Sequence, residues 1–285
     1  MTLELKELDD YCDSIINSFN PKEIEAKLQF LTQGYKFLTR QVSTGFHVWR
    51  ARKLTQETPL LNIKELSYPP AQIATVGRLN NENESIFYGA LRKETALAEI
   101  ELEAGDLVQL AGFKFAKNAN KNINLAMIGQ FWYVFKTGRF ELGEDPEGAL
   151  NGYLNSLTAE EGYKILYIDR FLAELLSAKN ASKKNYLHTR ILAKIIFERT
   201  NAEAIFYPSV KDKQGLNIAI KPLILDLYFR NSSCGVLKVN KKLKYGMYDY
   251  ESIYTAEGLD ENNDFTWLDR PMKKLYWAEY DFEGE

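Results

Sequence analysis

Histidine is nearly absent from this chain of 285 residues: His47 and His188 are its only two. That excludes a histidine-rich metal site, and with it most metal-hydrolase chemistry. Acid–base work must fall on carboxylates, tyrosines or one of these two rings. Cysteine is equally scarce. Cys12 and Cys234 lie far apart and in no metal-ligand spacing, which fits a reducing compartment better than a single disulfide. No apolar run is long enough to span a bilayer. The opening Met1-Thr2-Leu3-Glu4-Leu5 carries an acid where a secretory signal needs basic and then apolar residues. A cytoplasmic protein that enters no membrane is expected. A large excess of one charge is missing too: the formal net charge is -3, which gives no general reason to expect binding to nucleic acid. Repeats and low-complexity tracts are absent.

What is present is ordinary for a globular protein, with 45% hydrophobic and 26% charged residues, and the length allows one large core or two modest ones. The first forty-odd residues read as helical. Asn20-Pro21 is a good helix start, an N-cap followed by proline at the first helical position. Ile24, Leu28, Leu31, Tyr35 and Leu38 then recur at helical spacing as one apolar stripe, a core or subunit contact. Gly45 closes this region, and Phe46 to Arg52 alternates as a strand. Val48, Arg50 and Arg52 share one face with Phe46, while His47, Trp49 and Ala51 share the other. Arginines on a core-facing side need anionic partners, either carboxylates or a ligand phosphate.

Further on, Ser85 to Ala90 reads as a short strand, Lys93 to Glu103 as a helix, and Val108 to Phe115 as a strand. Phe131-Trp132-Tyr133-Val134-Phe135 reads as core. Helices are expected over Glu160 to Leu176 and Asn185 to Arg199, and short strands over Ala204 to Tyr207 and Leu216 to Ile220. The basic run from Lys238 to Lys244 reads as a solvated strand edge. Strands and helices without strict alternation favour an α+β layer architecture.

Polar residues at strand ends and glycine turns, facing a shared cleft, are how mixed sheets build sites. Arg50, Arg78, Asn80, Tyr88, Glu99, Ser209 and Asn217 fit that description. Singly, each also has a plain structural reading: Arg50 as a carboxylate partner, Tyr88 as core, Glu99 as a solvated helix residue, Ser209 as a turn residue after proline. His188 reads as a surface or capping histidine.

Their contexts form a series. Val48-Trp49-Arg50 is followed by Gly77-Arg78-Leu79-Asn80, Ile86-Phe87-Tyr88-Gly89-Ala90 and Thr95-Ala96-Leu97-Ala98-Glu99. Ile205-Phe206-Tyr207-Pro208-Ser209 and Gly215-Leu216-Asn217 complete it. In order and context these segments resemble the RES domain, a family named for an arginine, a glutamate and a serine. On this chain those are Arg50, Glu99 and Ser209, with Arg52 the alternative for the arginine. The resemblance runs from about Phe46 to about Tyr228. It departs at Leu79, where the family carries tryptophan, and at Val76, where it carries glycine.

The resemblance implies an ADP-ribosyltransferase-like mixed β core with surrounding helices over 45–230. A helical N-terminal extension, 1–44, would precede it, and a C-terminal extension, 231–285, would pack on it. It implies an NAD-degrading enzyme that cleaves the nicotinamide–ribose bond, a glycohydrolase or phosphorylase acting as a bacterial toxin. The expected partners are NAD, an Xre-type helix-turn-helix antitoxin and a second copy of the chain. No resident cofactor or metal is implied, with inorganic phosphate a co-substrate of the phosphorylase form. Glu99, Arg50 and Ser209 would be catalytic. Arg78, Tyr88, Asn80, Asn217 and Arg52 would bind NAD.

Such a cleavage passes through an oxocarbenium-like state that a carboxylate stabilises, and nicotinamide leaves as a neutral base. Scarce histidine is therefore no obstacle. Two other readings remain: transfer of ADP-ribose to a macromolecule, and a catalytically silent binding module.

Overall fold

The apolar stripe of the N-terminal region does not continue as one helix. A computed structural model describes residues 3–43, 45–116, 121–140, 148–213 and 215–269. It shows α1 (Leu8–Ile16) and then α2 (Pro21–Leu31), which buries Ile24, Leu28 and Leu31. The Asn20 side chain accepts the Lys22 N–H at 3.1 Å, as an N-cap should. At the far end the Thr32 hydroxyl donates to the Leu28 carbonyl at 2.7 Å. This side chain competes for a helical acceptor, and Gly34, a poor helix former, follows. Leu38 accordingly opens a strand, β1 (Leu38–Val42), instead of extending the helix.

In chain order there follow β2 (His47–Leu54), β3 (Phe87–Ala90), α3 (Lys93–Glu99), β4 (Leu107–Phe115), β5 (Ile123–Met127), α4 (Gln130–Thr137) and α5 (Ala149–Asn155). Then come α6 (Ala159–Leu176), α7 (Leu187–Arg199), β6 (Ala204–Pro208), β7 (Leu216–Ile220), α8 (Pro222–Tyr228), β8 (Phe229–Lys242), β9 (Tyr248–Leu259) and β10 (Phe265–Trp267). The fold is mixed α+β. No helix among the described residues is long and apolar enough to cross a membrane.

The chain groups into two units, one of residues 1–40, 75–82 and 124–208, the other of 41–74, 83–123 and 209–285. This grouping differs from a central domain with an extension at each end. The first helices join a unit with 75–82 and 124–208, and position 230 falls inside β8, which pairs with β4. Asn231, Ser232 and Ser233 are buried there, so a polar stretch forms a central strand because β4 supplies its ladder.

In the first unit, β5 and β6 pair in parallel. Its α6 buries Ile168, Leu172 and Leu176, and α7 buries Leu192, Ile195 and Ile196. A fully buried carboxylate, Asp169, ties this unit together. It accepts the Tyr35 hydroxyl at 2.5 Å and the main-chain N–H of Gly129 at 3.0 Å and Trp132 at 2.8 Å. Burial pushes Asp169 up to about 6 despite these donors. The aromatic stretch expected as core is α4. It buries Phe131 and Val134 and leaves Phe135 exposed.

In the second unit the strands run in the order β7–β3–β2–β4–β8–β9–β10, every neighbour antiparallel. Trp49, Ala90, Leu110 and Leu237 from this sheet make one core with Ala96 and Leu97 of α3. The helix ends at Glu99, short of Glu103, because Glu101 takes a left-handed backbone with φ of 49°. Cys12 and Cys234 are buried free thiols, one in each unit.

Candidate active site

Glu99 is the last residue of α3, which packs on β2, β3 and β7. The carbonyls of a helix C-terminus carry partial negative charge, so a carboxylate there is disfavoured unless donors meet it. Two do. The Ser209 hydroxyl donates to Glu99 Oε1 at 2.5 Å, and Asn217 Nδ2 donates to the same oxygen at 2.7 Å. The other oxygen, Oε2, has no partner among the described residues. Glu99 is half-buried, whereas Ser209 and Asn217 are buried.

Ser209 follows the last residue of β6 and begins a loop that returns to β7. Its Oγ accepts the N–H groups of Lys211 at 3.1 Å and Asp212 at 2.9 Å. A hydroxyl has one hydrogen to give and two lone pairs to receive. With both acceptances filled, its hydrogen is committed to Glu99. Ser209 thus holds the carboxylate as a hydrogen-bond donor.

The loop is braced along α3. Asp212 Oδ2 accepts the Thr95 hydroxyl at 2.7 Å and pairs with Arg92 at 3.3 Å, near the start of the helix. Lys211 forms an ion pair with Glu101, just past its end. Gly215 closes the loop: its carbonyl accepts the Ser209 N–H at 2.8 Å, and its own N–H reaches the Asp212 carbonyl at 3.0 Å. A Cβ at Gly215 would lie 2.5 Å from both Asp212 Oδ2 and Thr95 Cγ2, so only glycine fits. Sequence reasoning missed Asp212 and Thr95 as supports. The signal was there: Asp212 stands three residues after Ser209, the spacing at which a serine caps a turn.

Register places Tyr88 and Asn217 together. Asn217 pairs with Ala90 and Tyr88 with Ala219, so all four side chains share the face that α3 covers. Arg50 is elsewhere. Trp49 pairs with Ala90, so alternation turns Arg50 to the opposite face, where its guanidinium lies 5.4 Å from the Phe87 ring centre. Only that one pair joins β2 to β3 in register, and beyond it Arg50 Nη1 donates to the Tyr88 carbonyl at 2.9 Å. Burial, and then the charge of Arg52, push the Arg50 guanidinium down to about 10. Arg52 is exposed and donates to the Glu65 carbonyl at 2.6 Å. In place of the anionic partners expected for these arginines, both meet neutral main-chain carbonyls, and Arg50 is not bonded to Glu99.

Arg78 and Asn80 belong to the other unit. Arg78 Nη1 donates to the carbonyls of Leu176 at 2.7 Å and Ala178 at 3.2 Å, capping the C-terminus of α6, and its guanidinium lies 5.5 Å from the Tyr186 ring centre. Asn80 Nδ2 donates to the carbonyls of Thr75 at 2.9 Å and Asn81 at 2.7 Å and so holds its own turn. His188 is buried, its Nε2 2.9 Å from the Ile15 carbonyl oxygen.

Glu99, Ser209, Asn217 and Tyr88 are therefore gathered on one face of the second unit. Such a group can stabilise a cation beside Oε2. Among the described residues, no group of His, Cys, Asp and Glu is arranged to hold a metal ion. Among known proteins, no family model matches the chain and no curated protein matches it.

Proposed function

We propose that this chain degrades NAD, cleaving the nicotinamide–ribose bond on an ADP-ribosyltransferase-like fold, with Glu99 as its electrostatic centre. One observation carries the reading. Glu99 Oε1 is fixed by Ser209 and Asn217 while Oε2 stays without a partner among the described residues, at the negative end of a helix. A carboxylate so held favours positive charge developing next to it and needs no reorganisation when that charge appears. The choice of NAD rests on the resemblance of the surrounding segments to the RES domain.

In this reaction the bond from the ribose C1 to the nicotinamide nitrogen breaks, and its electron pair goes to nitrogen. Nicotinamide was cationic in NAD and leaves neutral, so no general acid is required. The sugar carries the charge, opposite Glu99. Water then adds its oxygen to C1 and releases a proton, giving ADP-ribose. With inorganic phosphate as acceptor, the product is ADP-ribose phosphate. Tyr88, on the same sheet face as Asn217, is assigned to the nicotinamide ring. Arg50 acts by holding the Tyr88 carbonyl. By the same resemblance the chain is a bacterial toxin of the cytoplasm, held in check by an Xre-type helix-turn-helix antitoxin.

The test is to mix purified protein with NAD and follow free nicotinamide. Release with label left on a macromolecule identifies an ADP-ribosyltransferase instead. No release at micromolar protein overturns the enzymatic reading and leaves a binding module.

A further inference from the structure

The segment from Ser177 to Arg190 carries Lys179, Lys183, Lys184 and Arg190 and no acidic residue, in a chain whose net charge is -3. Among the described residues none of the four forms an ion pair. Lys184 donates to the Ile16 carbonyl, and Arg190 to the Asn185 carbonyl and the Asn81 side chain, all neutral oxygens. Clustered cations without counter-charges attract an anion.

This segment walls a cavity of about 270 Å³ that lies wholly within the first unit and shares no residue with the Glu99 group. Ile16, Leu175, Ala181 and Leu187 give it apolar walls, Lys179 and Lys184 stand in its lining, and no carboxylate does. At the packing density of protein interiors such a space suits a ligand of roughly ten heavy atoms. The cavity offers donors more than acceptors. The Ile15 carbonyl is taken by His188 Nε2 at 2.9 Å, and the Ile16 carbonyl by Lys184. The first bond of α7 runs from the Arg190 N–H to the Tyr186 carbonyl at 2.9 Å. The N–H groups of Leu187, His188 and Thr189, which line the cavity, therefore have no partner among the described residues. No side chain caps this helix, and no acidic residue stands in its first turn.

A neutral hydrocarbon would leave these cations unmet, and a bare anion would leave the apolar walls unmet. We infer that the cavity binds a small organic anion of the medium-chain carboxylate class. Its tail lies against Leu175 and Leu187, and its head faces Lys179 and Lys184.

Calorimetry of the full chain with octanoate, 1-octanol, octylammonium and acetate tests this. Octanoate should bind one per chain and about tenfold more tightly than 1-octanol, whereas acetate and octylammonium should not saturate at millimolar concentration. In Lys179→Gln/Lys184→Gln the octanoate-to-octanol ratio should fall to within about threefold of unity, a readout that damage to the cavity alone would not move. Should that protein unfold, Lys179→Gln, at an exposed position, should lower the ratio roughly twofold to fivefold. Ala178→Phe, which fills the cavity, should abolish binding of both compounds. No binding of octanoate, or octanoate bound no better than 1-octanol, overturns the inference. So does a ratio unmoved by the lysine substitutions, or wild-type octanoate binding by Ala178→Phe. None of these measurements involves NAD, so their outcome is separate from that of nicotinamide release.

Discussion

Replacing Glu99 by glutamine removes one charge and keeps nearly everything else. The amide oxygen still accepts from the Ser209 hydroxyl and Asn217 Nδ2, which now bond at 2.5 Å and 2.7 Å to the carboxylate. Each bond passes from charge-assisted to neutral, a loss of about 1 kcal/mol apiece. Against that, a carboxylate at a helix C-terminus is disfavoured by about 0.3–1 kcal/mol, and glutamine relieves it. The net change in stability is about 1 kcal/mol, or roughly 2–4 °C in melting temperature for a chain of this size.

The reaction is a different matter. A carboxylate about 4 Å from a developing unit positive charge, at an effective dielectric of about 20, contributes about 4 kcal/mol. Because Glu99 is only half-buried, solvent lowers that figure, and a fall in kcat of roughly 10²–10³ is expected. KM for NAD should move much less, since the ground state lacks the sugar cation. Nicotinamide release under saturating NAD, beside a thermal melt of each protein, makes the measurement. A Glu99→Gln protein that melts normally and keeps more than a tenth of wild-type kcat would refute the electrostatic role.

Gly215→Ala should lower nicotinamide release and melting temperature together, because a Cβ 2.5 Å from Asp212 and Thr95 pushes apart the loop that holds Ser209; wild-type values on both would refute the brace. Arg78→Ala should destabilise the chain by about 1–2 kcal/mol through the freed carbonyls of Leu176 and Ala178. Unchanged denaturant unfolding with a raised KM for NAD would assign Arg78 to substrate instead. Asp169 is raised to about 6 in the folded chain from 3.8, so its contribution is full below about pH 3.8 and is lost as pH rises through 6. The stability of wild type minus that of Asp169→Asn should therefore fall from pH 4 to pH 7, and a difference that rises over that range would refute the burial argument.

What could be read from the sequence, and what could not, divides by the range of the forces involved. Alternation marks β2, whereas β4 and β7 are legible as short strand-forming runs, which the structure buries almost throughout. Segment context also marks Glu99, Ser209 and Asn217, and they meet in the structure within 2.7 Å. Failures of two kinds remain. Some are local but carried by a side chain: the Thr32 hydroxyl ends a stripe whose spacing alone continues to Leu38. Others depend on partners far along the chain. Arg78 looks like a phosphate ligand until the end of α6, 98 residues on, takes its donor. The stretch Asn231-Ser232-Ser233 reads as the start of a C-terminal extension, yet it lies inside a central strand because β4 pairs with it.

Arg50 shows why residue type and strand face do not by themselves assign a role. Its place on a strand face with Val48 is legible, as is its need for an acceptor. Its acceptor is set by where the β2–β3 ladder stops, at Trp49 and Ala90, leaving the Tyr88 carbonyl open to a guanidinium. A carbonyl carries no net charge, so this contact leaves the Arg50 charge uncompensated, which agrees with its lowered affinity for a proton. The hydrogen bond holds the main chain of the residue that shares a face with Asn217. Arg50 therefore bears on the site through the backbone of β3, and its removal should disturb Tyr88 before it disturbs Glu99.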